Sequence, residues 1–251
     1  MGSGSCRAHS EHRADRRAFS AVLAAILGAF SFSHAAFADD FGWVEPIVVN
    51  QPLADLGTRL FYDPRLSGDT TLSCASCHQP DKAFTDGKPL SDAYSLFGGH
   101  FRNTPTLANV GHRANWFHDG RLGTNLNDVT RESLTETYFM NMDMRIMQER
   151  LKQDATYVAL FEEAGKGEPS NGGVRSAIQE FLKTITSSGA PFDNGAMSDS
   201  AEAGFELFTG KAGCAACHTG PRFADDKAYN IGVPENPDIW SDPDRHAAFV
   251  T

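Results

Sequence analysis

The pentapeptide CASCH occupies residues 74–78, and its counterpart CAACH occupies residues 214–218. In a Cys-x-x-Cys-His pentad, each thiol can add to a vinyl group of one porphyrin, and the adjoining imidazole can then ligate the iron. Two such pentads behind an export signal predict two covalently attached haems c. The residues assigned to haem attachment and iron ligation are Cys74, Cys77, His78, Cys214, Cys217 and His218.

Other uses of paired cysteines explain the pentads less well. A structural zinc site would not need a histidine after each pair, and the pairs lie much farther apart than in zinc ribbons. A thioredoxin-like motif would need one pair at a strand-to-helix turn, and no such strand is predicted. Disulfides are compatible with an exported protein but would leave both histidines unexplained.

Residues 1–38 have the pattern of a signal peptide that directs export to the periplasm. Arginines precede an apolar run over residues 18–32, and the sequence AFA at 36–38 offers a small-residue cleavage site. The run is too short for a retained anchor, so we expect no stable membrane insertion. The formal net charge of −10 argues against nucleic-acid binding through counterion release and favours the attraction of a basic redox protein.

An internal repeat sets the expected architecture. The segments GTRLF at 57–61 and GFELF at 204–208 precede the pentads, and AFTD at 83–86 is echoed by RFAD at 222–225. Each unit therefore predicts a short amphipathic helix, a loop, a pentad and an aromatic residue that covers the porphyrin. Residues 128–153 contain no Pro or Gly and favour helix, and long alternating β patterns are missing.

We predict a mainly α protein with two tandem cytochrome c-like haem domains, the second of them truncated. Residues 39–190 form the N-terminal domain, and residues 191–251 begin the C-terminal domain. The stretch that follows His218 is short for a cytochrome fold that must close over its haem, so the second domain is expected to be incomplete.

Several further motifs, in this order, resemble those of the bacterial di-haem cytochrome c peroxidases, a family that also contains the maturation enzyme MauG. The resemblance runs from about Phe61 to the end of the chain and includes APFD at 190–193. The motifs that carry it are FYDPRLS at 61–67, SCASCH at 73–78, AFTDG at 83–87 and RNTPTL at 102–107.

The resemblance implies that the first haem reacts with peroxide and that the second stores and relays electrons. His78 and His218 would then be the proximal ligands of the catalytic and the electron-transfer haem. The family's distal catalytic Glu lies in a Glu-Met pair beyond a DGR triplet. Here the triplet at 119–121 is followed by Asp143 in an Asp-Met pair, so Asp143 takes that place. Asn103, from the Arg-Asn-x-Pro stretch, would contribute to an inter-domain Ca²⁺ site.

Three positions depart from the family's pattern. The family usually has Trp immediately before the DGR triplet, between the haems, whereas this chain has His118, with Trp116 two residues earlier. We carry both as candidate catalytic residues. Many members place a loop histidine on the resting catalytic iron; the aligned residue here is Ser95, with His100 nearby. The sixth ligand of the second haem, Met in peroxidases and Tyr in MauG, would fall beyond Thr251.

The leading hypothesis is a periplasmic peroxidase that reduces hydrogen peroxide with electrons from a small cytochrome c or copper protein. In this hypothesis the second haem relays those electrons to the first, and Asp143 moves the peroxide proton. The alternatives are a MauG-like oxidation of residues on a partner protein and a non-enzymatic di-haem electron carrier. We also expect the protein to form a homodimer.

Overall fold

The computed structural model describes residues 41–42, 44–92, 94, 102–118, 120–232 and 234, and all of them belong to one compact unit. The predictions made for the signal peptide, Ser95, His100 and Asp119 lie outside the described residues. The boundary between tandem domains at residue 190 stays a prediction.

The prediction of a mainly α protein is confirmed. The helices are α1 (Gln51–Phe61), α2 (Cys74–Cys77), α3 (Leu126–Thr135), α4 (Met144–Lys152), α5 (Ala155–Glu163), α6 (Asn171–Thr184) and α7 (Asp199–Thr209). Short 3₁₀ turns cover Pro64–Leu66, Pro80–Lys82, Val110–His112 and Cys214–Ala216. The described residues contain no β-strand, and their β-pairing is limited to an isolated bridge between Gln79 and Thr85.

None of the helices in the described ranges has both the length and the apolar character that a membrane crossing requires.

The packing of α1 along α6 forms the centre of the core. Helix α1 starts at Asn50, whose side chain accepts a hydrogen bond from the Leu53 amide and satisfies a free N–H of the first turn. The two helices approach most closely at Gly57, where an added Cβ would lie 1.9 Å from the Ala177 carbonyl oxygen. Glycine is therefore required at this crossing. The fully buried side chains of α1 are Leu56, Leu60 and Phe61.

Residues 128–153 form parts of two helices, α3 and α4, separated by a short irregular segment. The helix is interrupted although the segment has no Pro or Gly, because its backbone finds partners elsewhere in the fold. The Gly68 amide donates to the Met140 carbonyl at 2.9 Å, and Asn141 adopts a left-handed conformation with φ of 47°. The local signal for the restart is Asp143, which caps α4.

The FYDPRLS segment forms a buried polar network that ties α1 to α4 and α5. The Asp63 carboxylate accepts hydrogen bonds from the Arg65 guanidinium at 2.7–3.0 Å and from the Tyr157 hydroxyl at 2.7 Å. Arg65 also pairs with Asp154 at 2.9 Å. Arg150 of α4 closes the network by donating to three backbone carbonyls of the same loop at 2.7–3.2 Å. The motif therefore fixes the backbone that leads into the first pentad.

Candidate haem sites

The first pentad begins on the short helix α2. The Ser76 hydroxyl accepts from the Ser73 amide at 3.0 Å, and the His78 amide donates to the Cys74 carbonyl at 2.9 Å, so the turn is held at both ends. Cys74 and Cys77 are both unpaired and both line the same cavity. Burial raises the pKa of the Cys74 thiol to about 12 and also raises that of Cys77. The thiols are therefore protonated near neutral pH, and both lie at the cavity beside the pentad.

A backbone carbonyl sets the orientation of the His78 ring. The Nδ1 atom of His78 lies 3.0 Å from the Phe84 carbonyl oxygen. A carbonyl can only accept, so Nδ1 carries the proton and Nε2 is left with the lone pair that ligates iron. Burial lowers the pKa of His78, against the opposing effect of hydrogen bonds to the carbonyls of Phe84 and Pro105. The ring is therefore neutral, which is the form that binds a metal.

The cavity beside the first pentad is lined mainly by apolar side chains from α1, α3 and α6. Its walls combine this apolar surface with several cationic side chains, which suits a porphyrin that carries two carboxylates. The thiols, the Nε2 atom of His78 and the apolar walls together fit a haem c. Apolar residues that line the cavity include Phe61, Leu107, Val110, Leu126, Val129, Leu134, Ile178 and Leu182, and cationic ones are Arg102, Arg113 and Arg121.

Besides the pentad itself, three further predicted site residues lie at this cavity. Trp116 lines it and is only 4% exposed. His118 and Asn103 also line it, and the His118 Nε2 atom lies 3.0 Å from the Asn103 carbonyl oxygen. The structure therefore brings the position before the DGR triplet next to the RNTPTL segment. Calcium binding at Asn103 stays a prediction.

Arg121 of the DGR triplet is held in place by two kinds of contact. Its guanidinium pairs with the Glu132 carboxylate of α3 at 2.9 Å and lies 4.2 Å from the centre of the Phe117 ring. Phe117 in turn stacks on Phe139, with ring centres 5.7 Å apart. These contacts fix the position of the Arg121 guanidinium on the cavity wall. These contacts could not be predicted from the sequence, because Glu132 and Phe139 come next to Arg121 and Phe117 only in the tertiary structure.

Asp143 is not among the side chains that line the cavity. Its carboxylate accepts hydrogen bonds from the amides of Arg145 and Ile146 at 2.8 and 3.3 Å, at the start of α4. These backbone hydrogen bonds lower the pKa of Asp143. Helix capping accounts for this residue in the structure, and its assignment as the proton-transfer group stays a prediction.

The second pentad repeats the local chemistry of the first with a different backbone. Its cysteines lie on a 3₁₀ turn, Cys214–Ala216, which follows Gly213 in a left-handed conformation with φ of 70°. The Nδ1 atom of His218 lies 3.1 Å from the Phe223 carbonyl oxygen, so Nε2 is again left for iron. The aromatic residues after the pentads, which were predicted to cover the porphyrin, thus also provide the carbonyls that orient the two histidines.

A cluster of phenylalanines packs against the second pentad. Phe41, which lies in the predicted N-terminal domain of residues 39–190, is in contact with the rings of Phe205 and Phe223 at centroid distances of 5.6 and 5.1 Å. The Phe208 ring lies 6.3 Å from the imidazole of His218. The cluster comprises Phe41, Phe192, Phe205, Phe208 and Phe223.

Comparisons with known proteins agree with these sites. The sequence profile of the family described as "Di-haem cytochrome c peroxidase" matches residues 51–201. The cytochrome-c peroxidase IdrP2 of Denitromonas iodatirespirans is 43% identical over 208 residues, which are 80% of this chain and 56% of that protein. The methylamine utilization protein MauG of Methylorubrum extorquens is 39% identical over 192 residues, which are 73% of this chain and 54% of that protein. The chain thus spans about half the length of these curated relatives.

Solved structures share the fold. A MauG-like protein associated with microbial copper homeostasis superposes with a TM-score of 0.65 at 25% identity, covering 81% of this chain and 70% of that one. The di-haem peroxidase BthA of Burkholderia thailandensis gives a TM-score of 0.58 at 25% identity, covering 70% and 50%. With the family profile matched over more than half of its length, this chain belongs to the di-haem cytochrome c peroxidase family, whose cofactor is haem c.

Proposed function

We propose that this protein is a periplasmic di-haem peroxidase that reduces hydrogen peroxide to water with electrons relayed from the second haem to the first. The observation that carries the proposal is the cavity at the first pentad. It joins the two thiols and the neutral His78 to a wall that bears His118 and Arg121. A simple electron carrier does not need polar and cationic groups on the wall that faces its haem.

The bound haem would supply the redox chemistry and an open position for peroxide. The chain's own residues then have separate tasks. His78 would hold the iron through Nε2, because its Nδ1 proton is committed to the Phe84 carbonyl. The apolar side chains of α1, α3 and α6 exclude water. His118 presents a second imidazole on the cavity wall, and the N–H groups of Arg121 can donate to a developing anion.

The second pentad is the proposed entry point for electrons. Membership of the di-haem peroxidase family implies that the second haem stores and relays electrons. A donor that binds there can transfer electrons without entering the peroxide site. The donor is proposed to be a small cytochrome c or copper protein, and the chain's net charge of −10 favours one with a basic surface. The proposal also includes a Ca²⁺ ion bound near Asn103 and the assembly of the protein as a homodimer.

MauG-like oxidation of a partner protein is the second candidate. It is favoured by the 39% identity to a MauG protein and by the fold shared with a solved MauG-like protein. The two candidates differ in what is oxidised: a peroxidase oxidises a soluble redox protein, and a MauG-like enzyme modifies residues of its target.

Spectroscopy and turnover of the haem-loaded protein test these functions together. A peroxidase should show one high-spin, accessible haem and should consume peroxide in step with oxidation of a reduced cytochrome c or copper donor. Two low-spin haems without peroxide consumption would refute the proposal in favour of an electron carrier. Peroxide consumption without donor oxidation, together with a mass change on a partner protein, would favour the MauG-like function.

A further inference from the structure

Trp116 carries a buried hydrogen-bond donor that the described part of the chain leaves without an acceptor. Its side chain is 4% exposed, and its indole Nε1 atom has no hydrogen-bond partner among the described residues. A buried N–H without a partner is costly, and such groups are usually satisfied in the functional state. Trp116 lines the cavity of the first pentad, so a group placed in that cavity is the available source of an acceptor.

Arg113 is a second residue at the same cavity whose side chain calls for a partner, in this case an anion. Its guanidinium lines the cavity and donates to the Thr106 carbonyl at 3.2 Å. Within the described ranges it forms no ion pair with a carboxylate. Burial lowers the pKa of Arg113, and the charge of Arg222 lowers it further. A partly buried guanidinium is normally stabilised by an anion, and none of the described residues provides one in an ion pair.

The charged neighbours do not remove this requirement. Asp226 favours the charge of Arg113, but its carboxylate is ion-paired with Arg222 and its carbonyl accepts from Asn115. Arg222 also lowers the pKa of the adjoining His112. The surroundings of Arg113 are therefore short of negative charge.

We propose that Trp116 and Arg113 together bind one propionate of the haem at the first pentad. A carboxylate supplies the acceptor that the indole N–H lacks and the anion that the guanidinium lacks, and haem is the carboxylate-bearing group that this cavity fits. The two residues lie three positions apart, on the stretch that follows the Val110–His112 turn. They are positioning residues, because they act on the macrocycle and not on the peroxide. The proposal rests on haem attachment at the first pentad and not on peroxidase activity.

Potentiometry and resonance Raman spectroscopy of the haem-loaded protein test the proposal. Trp116→Phe removes the N–H, and Arg113→Gln removes the charge. Both variants should shift the propionate bending band of the first haem. At a fixed potential and alkaline pH, both variants should also raise the ratio of ferric to ferrous iron in the first haem. The reason is that a propionate whose negative charge is less well neutralised stabilises ferric iron. The rise should be about threefold for Trp116→Phe and about tenfold for Arg113→Gln, in proportion to a neutral and a charge-assisted hydrogen bond.

Two matched variants separate this effect from packing and net charge. Ile185→Val removes a methylene from the core outside the cavity, and Arg131→Gln removes an exposed charge from α3; neither should move the band or the ratio. If Arg113→Gln fails to retain haem, Arg113→Lys keeps the charge without the planar fork and should give a smaller shift in the same direction. An unchanged band and ratio in either Trp116→Phe or the Arg113 variant would overturn the shared site, as would equal shifts in the controls. Absence of peroxide consumption in the wild type would refute the peroxidase function and leave these readouts intact.

Discussion

The two pentads share their local chemistry and differ in their surroundings. In both, the histidine Nδ1 atom faces the carbonyl of a phenylalanine at 3.0–3.1 Å. Both phenylalanines, Phe84 and Phe223, adopt the left-handed conformation, with φ of 58° and 56°. The first pentad lies against a cavity with walls from three helices, whereas the described surroundings of the second are a cluster of phenylalanines. The shared carbonyl contact shows that the orientation of the ligand is encoded locally, within a few residues of each pentad.

The left-handed conformation of both phenylalanines indicates that the direction of their carbonyls matters. A non-glycine residue in this conformation destabilises the fold by on the order of 1 kcal/mol, and here it occurs at the equivalent position of both repeat units. In each unit the strained residue points its carbonyl at the imidazole. The same compromise in two different backbone contexts, an α-helical turn and a 3₁₀ turn, supports a role in fixing the ligand tautomer.

The largest expected effect is on haem content, and it tests whether the pentads are equivalent in attachment. Cys74→Ala/Cys77→Ala should remove one covalent haem, and Cys214→Ala/Cys217→Ala should remove the other. Mass spectrometry after acid–acetone extraction should show two haem additions on the wild type and one on each variant. Only the first variant should lose the high-spin signal. Bound zinc, or a single haem on the wild type, would refute the assignment of the pentads.

The next largest effect is on stability. It is measured by comparing Gly57 and Gly204, which occupy equivalent positions in the two repeat units. Gly57→Ala places a methyl group against the Ala177 carbonyl, so the free energy of unfolding should fall by roughly 3 kcal/mol or more. Gly204→Ala is the matched control, because no atom lies within 4 Å of its added Cβ in α7. A helical Gly→Ala change in open space should stabilise the protein by about 0.5–1 kcal/mol. Denaturant unfolding of both variants measures the difference, and similar values for the two would contradict the close crossing of α1 and α6.

Much of the fold and the candidate site was predictable because it depends on short-range patterns. The pentads, the histidine ligands and the repeat can be recognised within a few residues, and the absence of alternating apolar patterns indicates a helical protein. The break between α3 and α4 was not predictable, because it depends on the Gly68 amide, which is distant in sequence. The contact of Phe41 with the second pentad's cluster was missed for the same reason. The resemblance suggested a catalytic role for Asp143, whereas the tertiary structure shows where its carboxylate is bonded.

A smaller effect concerns Asp143 and separates capping from proton transfer. Asn is as good an N-cap as Asp, so Asp143→Asn should leave the unfolding midpoint close to that of the wild type, and an unchanged rate of reaction with peroxide would leave capping as the role of this carboxylate. Asp143→Ala should lower the midpoint. Stopped-flow absorbance with peroxide provides the rate. A loss of about 10²–10⁴-fold in Asp143→Asn would instead establish the carboxylate as a general acid–base.

The smallest effect is the acid sensitivity of the FYDPRLS network, which has no counterpart at the second pentad in the described structure. Burial opposes ionisation of Asp63, but hydrogen bonds from Arg65 and Tyr157 outweigh it and hold its pKa below the ordinary value of 3.8. The stabilisation is therefore complete above that value and is lost as pH falls through the lowered pKa. Tyr157→Phe removes one of these hydrogen bonds. It should cost about 1 kcal/mol near neutral pH and move the acid transition to higher pH. Thermal melts across the acid range measure both, and an unchanged acid transition would show that the network does not depend on Asp63 ionisation.

The position of Phe41 also has a consequence for the order of folding. This residue precedes every described helix, yet its ring packs among side chains that follow residue 190. A contact between such distant parts of the chain closes a long loop, and contacts of this kind form late because loop closure costs entropy first. The aromatic cluster at the second pentad can therefore form only after the chain is available as far as Phe223. We expect the cavity of the first pentad to be enclosed earlier, so that substitution of Phe41 should impair packing at the second pentad and leave the first cavity intact.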